Sequence, residues 1–536
     1  MVGVREQFDA IVVGAGFAGM YMLHRLRGLG LSVRVYEAGS GVGGTWFWNR
    51  YPGARCDVDS MEYSYQFSEE LQQEWEWTER YATQAEILRY AEHVADRFDL
   101  LRDIVFETRV EAATWDEEAS RWRLRTSAGD QVGATFYIMA TGCLSSTNTP
   151  AFPGLERFEG DVYHTGRWPH EGVDFTGRTV GVIGTGSSAI QSIPLIAEQA
   201  LELTVFQRTP NYSIPAHNAP LDPDDVREIK ANYAGFRAAN WTMPAGFGSR
   251  HPGHEESALA LGAGERHARY EERWQRGGLQ FLGAFGDLGL NREANETAAD
   301  FIRGKIREIV DDPEVAELLA PDQVVGCKRL CVDTGYYATF NRKNVSLVDV
   351  RKSPIEEITA TGLRTGDAAY EFDALVLATG FDAMTGALLA VDIRVRGGLP
   401  LCEKWAAGPR MLLGLCTAGF PNFFTITGPG SPSVLSNMLP TIEQHVNWIA
   451  DCIAAIRAGG HRTIEAEVEA EDAWVEHVNA VADLTLYKSC NSWYLGANVP
   501  GKPRIFMPLL GVPDYVARCK EIAATGYPGF VLAGGG

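Results

Sequence analysis

No stretch of this 536-residue chain approaches the ~18–20 consecutive apolar residues that span a bilayer, so a membrane protein is not expected. The first residues carry neither the basic nor the apolar region of a secretory signal. Basic residues are in deficit: 48 Lys and Arg against 69 Asp and Glu leave a net charge of −21. That balance argues against nucleic acid or an anionic membrane surface as partner. The nine cysteines are odd in number and none stand in a C-x-x-C pair. Cys327 and Cys331 lie close together, but no histidine or second pair flanks them, so no metal site is expected. Without a secretory signal, the thiols are expected to be reduced and the protein cytoplasmic. The run Leu532-Ala533-Gly534-Gly535-Gly536 reads as a frayed end.

What the chain does have is two glycine loops in matching surroundings. Gly14-Ala15-Gly16-Phe17-Ala18-Gly19 follows the apolar strand pattern Phe8–Val13, opens a helical run, and precedes a second strand that delivers Glu37. Gly184-Thr185-Gly186-Ser187-Ser188-Ala189 follows Thr179–Ile183, and its second strand, Leu203–Phe206, delivers Gln207-Arg208-Thr209 instead of an acid. Glycines there permit a tight turn and close approach of backbone to a pyrophosphate, which the helix N-terminus attracts. A carboxylate accepts hydrogen bonds from a free ribose 2′-hydroxyl, whereas arginine suits a 2′-phosphate. The first unit is therefore expected to hold FAD and the second NADP(H), and a chain binding both is a flavin oxidoreductase. The alternative for Arg208 is a solvated surface charge.

The fold expected is α/β, with two Rossmann-like dinucleotide-binding domains and a helical insertion in the second. The FAD unit is read as residues 1–145, ending on the Thr135–Met139 strand and Ala140-Thr141-Gly142, and again as 383–536, which completes the flavin's cover. The NADP unit is read as 150–220 and 331–382, the latter closing on Ala378-Thr379-Gly380-Phe381-Asp382. Between them, 221–330 is charged, helix-prone and poor in strand patterns, and Asp222-Pro223 is a capping acid with proline at the first helical position.

Phe158, Gly160, His164, Trp168 and Pro169 form an F-x-G-x-x-x-H-x-x-x-W-P pattern between the two loops. It resembles the fingerprint of the type I Baeyer–Villiger monooxygenases, and Gly43-Gly44-Thr45-Trp46, Tyr51-Pro52-Gly53 and Asp57 resemble a second pattern of that family. The resemblance implies that NADPH reduces FAD, that oxygen adds to give a C4a-peroxide, and that the peroxide converts a ketone to an ester or lactone. It implies catalytic roles for Arg329, a fixed cation beside the flavin, and Asp57, its orienting partner. Gly14, Gly16, Gly19, Glu37, Gly44, Trp46, Asp57 and Tyr63 would serve FAD. Gly184, Thr185, Gly186, Ser187, Arg208, Thr209, Lys328 and Trp493 would serve NADP, with Trp493 on a loop that folds over the nucleotide. The segment Gly428–Met438 is similar to the phenylacetone and steroid monooxygenase subgroup, in which Val434, Leu435 and Met438 would line the ketone pocket; aryl, cyclic or bulky ketones and organic sulfides are the implied substrates.

Read on residues alone, Arg329 could be a surface cation beside Lys328, Trp493 could be core packing, and Val434, Leu435 and Met438 could cover apolar core. His164 could be a hinge between domains or a satisfied interfacial histidine. The competing functions are a flavin N- or S-monooxygenase of similar fold, against which the Trp168-Pro169 ending and Arg329 both count, and a flavin/NADPH redox sensor without turnover. A disulfide reductase would need a cysteine pair near the first loop, where Cys56 stands alone.

Overall fold

The computed structural model describes residues 6–502 and 511–534. Gly535 and Gly536, part of the expected frayed end, lie outside the described residues.

The strand Glu6–Val13 is flanked in parallel by Val33–Tyr36 and Gln131–Met139, with Ile104–Val105 beyond the former. Ile11 and Val12 are fully buried, because the strand is covered on both faces. The antiparallel strands Val110–Asp116 and Arg121–Thr126 extend the sheet. In the latter, Trp122, Leu124 and Thr126 point inward while Arg121, Arg123 and Arg125 face water, a strict period of two. The strand Phe423–Thr425 returns from far along the chain to pair in parallel with Tyr137–Met139. Helix Met438–Ala458 packs on helix Phe17–Gly28, where Tyr21 donates to Asn447 at 2.9 Å.

The second sheet is five parallel strands in the order Val345–Asp349, Glu202–Gln207, Thr179–Ile183, Ala374–Leu377, Asp161–His164. Helix Ser187–Gln199 crosses between its two central strands, burying Ile190, Ile193 and Ile196. The fold is thus α/β with two Rossmann-type sheets.

Three expectations change. Residues 221–330 do not all pack on the second sheet: Pro223–Ala231 and Tyr233–Trp241 place Ile229 and Tyr233 in the first core. The later helices, Ala263–Arg276, Arg292–Ile309 and Pro313–Leu319, place Tyr270, Trp274, Ile302 and Leu319 in the second core. The first pair is held by buried Arg237, whose guanidinium donates to Gln72, Ser64 and the Glu62 carbonyl. Second, Phe530–Ala533 is no frayed end, since it pairs antiparallel with Thr463–Ala466. Third, the thiols are not all free: Cys327 and Cys490, 163 residues apart, form a disulfide. Sequence spacing could not reveal a pair that only folding brings together.

Candidate active site

The first glycine loop is shaped for close approach. Gly14 sits at φ +102°, where a Cβ would lie 2.6 Å from the Ala140 carbonyl oxygen, and a Cβ on Gly19 would lie 1.8 Å from that of Gly14. Gly16 faces Gly44, itself at φ +53°, so closely that a Cβ on Gly44 would lie 2.9 Å from the Gly16 Cα. Glu37 is buried at the tip of the second strand. Its Oε2 accepts from Ala15 N–H and its Oε1 from Gly39 N–H, both at 2.7 Å. Each carboxylate oxygen keeps a further lone pair for a ribose hydroxyl. Trp46 Nε1–H donates to the Tyr63 hydroxyl at 3.1 Å beside this loop, and burial raises the Tyr63 phenol well above its usual pKa.

The second loop repeats the geometry with different chemistry at its end. Gly184, at φ +115°, would put a Cβ 2.5 Å from the Ala378 carbonyl oxygen. Gly186 precedes the first helical residue, Ser187, whose hydroxyl lies 3.3 Å from Cys331 Sγ. The Thr185 hydroxyl donates to the Thr209 carbonyl at 2.9 Å, tying the loop to the turn that bears Arg208. Arg208 is exposed and has no carboxylate ion-pair partner among the described residues. Burial, then the charge of Arg208, push the Lys328 ammonium below its usual pKa. An ammonium whose charge is disfavoured by a neighbouring guanidinium is relieved by an anion, so these residues fit a 2′-phosphate.

Between the sheets, Arg329 grips Asp57 with two bonds, Nη2 to Oδ1 at 2.7 Å and Nε to Oδ2 at 3.1 Å. Its Nη1 donates to the Val434 carbonyl at 3.0 Å. Burial disfavours the charge, but Asp57 and the Tyr494 hydroxyl outweigh it and hold the guanidinium above its ordinary pKa. Asp57 and Arg329 thus come together as expected, 272 residues apart in sequence, and the surface-cation alternative fails.

Val434 belongs to an apolar cluster with Cys143, Ala383, Met384 and Tyr494, against which Leu435, Met438, Tyr487 and Trp493 pack. The three expected pocket residues and Trp493 therefore share one cluster, which touches the arginine through the Val434 carbonyl. Cys143, which sequence reasoning missed, directly follows the Ala140–Gly142 triplet just past the strand Gln131–Met139, and Met384, also missed, stands four residues after the matching Ala378–Gly380 triplet past Ala374–Leu377. That repeated triplet was the available signal.

His445 was missed too, and no sequence pattern marks it. Its Nδ1 accepts from Thr427 N–H at 3.0 Å, and its Nε2 lies 2.9 Å from the Tyr515 hydroxyl, which donates to the Leu413 carbonyl. Burial lowers its pKa to about 3, so it is neutral. This chain anchors a turn in which Thr427 and Ser433 hold positive φ, just before Val434.

Both ring nitrogens of His164 have hydrogen-bond partners. Its Nδ1 accepts from Gly166 N–H at 3.0 Å, leaving the proton on Nε2, which faces the Asn148 carbonyl and Thr379 hydroxyl at 3.3 Å each. Trp168 packs between Tyr163 and Phe175 in the second core.

The pyridine nucleotide-disulphide oxidoreductase family pattern matches residues 11–235. A Baeyer-Villiger monooxygenase of Pseudooceanicola batsensis is 43% identical over 98% of this chain and 97% of its own length. The chain belongs to the Baeyer–Villiger monooxygenases. It is also similar to the phenazine N-monooxygenase PhzNO1 of Lysobacter antibioticus, 41% identical over 98% of this chain and 97% of that protein. Among solved structures, an oxidised steroid monooxygenase bound to NADP is 56% identical, with a TM-score of 0.94, over 99% of this chain and 100% of that one. A further solved relative, 40% identical at a TM-score of 0.94 over 98% and 99% of the two chains, holds FAD and NADP together. The chain is accordingly a flavin-dependent monooxygenase using FAD and NADPH. Among the described residues no cluster of ligands could hold a metal ion, and no helix is long and apolar enough to cross a membrane.

Proposed function

We propose that this Baeyer–Villiger monooxygenase inserts oxygen beside the carbonyl of aryl, cyclic or bulky ketones, giving esters or lactones, with Arg329 as its catalytic cation. One observation carries the reading: a guanidinium locked on Asp57 extends its remaining arm to the carbonyl of Val434, in the wall of an apolar cluster. FAD, when bound, supplies dioxygen activation after reduction by NADPH. The residues that fit it are Gly14, Gly16, Gly19, Glu37, Gly44, Trp46 and Tyr63; those that fit NADP are Gly184, Thr185, Gly186, Ser187, Arg208, Thr209 and Lys328.

Arg329 then does two things. It holds a positive charge that cannot be lost as a proton, which favours negative charge on oxygen at the reacting centre. Asp57 keeps the guanidinium plane oriented, so little reorganisation is needed as that charge develops. Val434, Leu435, Met438 and Trp493 exclude water and take the ketone's apolar part. Such walls discriminate by only ~1–3 kcal/mol per methylene, so several ketones and organic sulfides should be accepted. We place the protein in the cytoplasm, a reading supported by its acidic charge and its need for NADPH.

The test is incubation with NADPH, air and a panel of phenylacetone, cyclic ketones and a steroid ketone, followed by mass spectrometry. Products one oxygen heavier support the reading. NADPH consumption yielding only hydrogen peroxide with every ketone, or a single reduction without cycling, would overturn it.

A further inference from the structure

The Cys327–Cys490 disulfide joins two places that matter to the site. Cys327 lies two residues before Arg329, and Cys490 three residues before Trp493. The segment 486–502 holds two short 3-10 turns, Leu486–Ser489 and Trp493–Leu495, and further turn bonds at Gly496, Ala497, Val499 and Lys502, but no α-helix or strand; its backbone is tied outward at Leu486 N–H, which donates to the Gly289 carbonyl. It lies over the arginine: the Tyr494 hydroxyl bonds the guanidinium, and Tyr487 and Trp493 pack on the Val434 cluster. Its other fastenings are breakable. Asn498 donates to the Phe381 carbonyl at 2.7 Å and accepts from Asn148 at 3.2 Å, while Lys502 pairs with Asp382. Among the described residues, the disulfide is the single covalent cross-link between this segment and the wall it covers.

A ligand large enough to reach Arg329 from this side displaces the segment. With the disulfide closed, Trp493 stays within three residues of a fixed point, a reach of about 10 Å at full extension. With it open, non-covalent contacts alone hold the cover down. We propose that Cys327–Cys490 is a redox latch, which when oxidised pins the segment over the site and when reduced lets it lift to exchange nucleotide and ketone. The proposal rests on the reading of Arg329 as the reaction centre and adds its regulation.

The chemistry is thiol–disulfide exchange with an external dithiol. Cys327 is buried and Cys490 half-buried, so Cys490 Sγ is the accessible sulfur. A thiolate attacks it, breaking the S–S bond; Cys327 departs as thiolate and takes a proton. The reagent's second thiol then displaces the Cys490 sulfur, which is protonated in turn. Two electrons pass from the dithiol, now a disulfide, to the protein. A small disulfide reverses the process by the same exchange. In a reducing compartment such a bond reports the local thiol balance.

The test uses FAD-loaded enzyme saturated with NADP⁺, oxidised with a small disulfide or reduced with dithiothreitol, together with C490S and C327S. Hydrogen exchange of residues 486–500, NADP⁺ dissociation in rapid mixing, and alkylation followed by peptide mass spectrometry are measured. Reduction is expected to expose both thiols to alkylation, raise exchange across 486–500 and speed NADP⁺ release about tenfold or more. Both variants should behave as the reduced form and ignore dithiothreitol. If the bond merely stabilises, reduction would lower the melting temperature yet leave exchange and release unchanged, which overturns the proposal; so does finding both cysteines alkylated after oxidation. None of these readouts needs ketone turnover, so a switching segment in a protein that oxygenates no ketone would refute the function and leave the latch standing.

Discussion

Replacing Arg329 with alanine removes two bonds to Asp57, one to the Val434 carbonyl and the bond with the Tyr494 hydroxyl at once. The reaction loses a fixed positive charge, and loss of one well-aimed donor to a developing oxyanion costs about 10²–10³ in rate, roughly 3–4 kcal/mol. The oxygenated product formed per NADPH should fall by that factor. Reduction of the flavin should persist, because the residues proposed to hold the nucleotide, Arg208, Thr209 and Lys328, are left in place. The missing product should appear as hydrogen peroxide. Stability falls too, since Asp57 keeps a charge facing no cation. A fully buried orphan costs ~3–5 kcal/mol, and the Asp57 side chain, 24% exposed, retains some water, so about 1–3 kcal/mol is expected here. Arg329→Ala with Asp57→Ala should recover much of that stability and none of the product. Anaerobic rapid-mixing reduction, product yield per NADPH and thermal melting separate these effects. A yield within about threefold of the parent enzyme, in a variant that melts normally, would refute the assignment.

Arg208→Ala should raise the KM for NADPH about 10- to 100-fold and leave that for NADH nearly unchanged, because only NADPH carries the 2′-phosphate; steady-state kinetics with both nucleotides decides it. Gly14→Ala, which forces a Cβ to 2.6 Å from the Ala140 carbonyl at φ +102°, should yield protein with little flavin, read from the ratio of absorbance near 450 nm to that near 280 nm. Glu443 is buried and accepts from the N–H groups of Gln66 and Phe67, yet burial raises its pKa from 4.5 to about 7. An acid whose pKa rises on folding binds its proton more tightly in the folded state, so stability is lost as pH climbs from about 4.5 to 7. Glu443→Gln keeps an acceptor for both N–H groups without a charge. Its melting temperature relative to the parent should therefore rise across that interval and level off above it, a gain of about 3 kcal/mol at most; a flat difference between pH 5 and 8 would contradict the shift.

The glycine loops, Glu37 and Arg208 were legible because each rule there is local: a loop, its strand and the residue at the next strand's tip lie within some 25 residues. Arg329 and Asp57 were reached only through resemblance, since 272 residues separate them and a lone arginine beside a lysine resembles any surface pair. The disulfide was missed for the same reason, as no pattern in sequence joins Cys327 to Cys490. The division of 221–330 between two cores was hidden because helices on either core show the same amphipathic period. His445 sits wholly inside, and its partner, the Thr427 N–H, exists only once the turn before Val434 has formed.

The strand Phe423–Thr425 fills a vacancy that opens when Gln131–Met139 leaves the ribosome. Until residue 423 is made, the Tyr137–Met139 edge has no neighbour on that side. At ~5–20 residues per second, translation from residue 139 to 423 leaves that edge bare for roughly 15–60 s. The intervening chain, with the whole second sheet, can fold meanwhile as a unit of its own. Nascent chains truncated before residue 423 should accordingly engage holding chaperones through the first sheet and not the second, and a circular permutant that begins near residue 411 should close the first sheet early in synthesis.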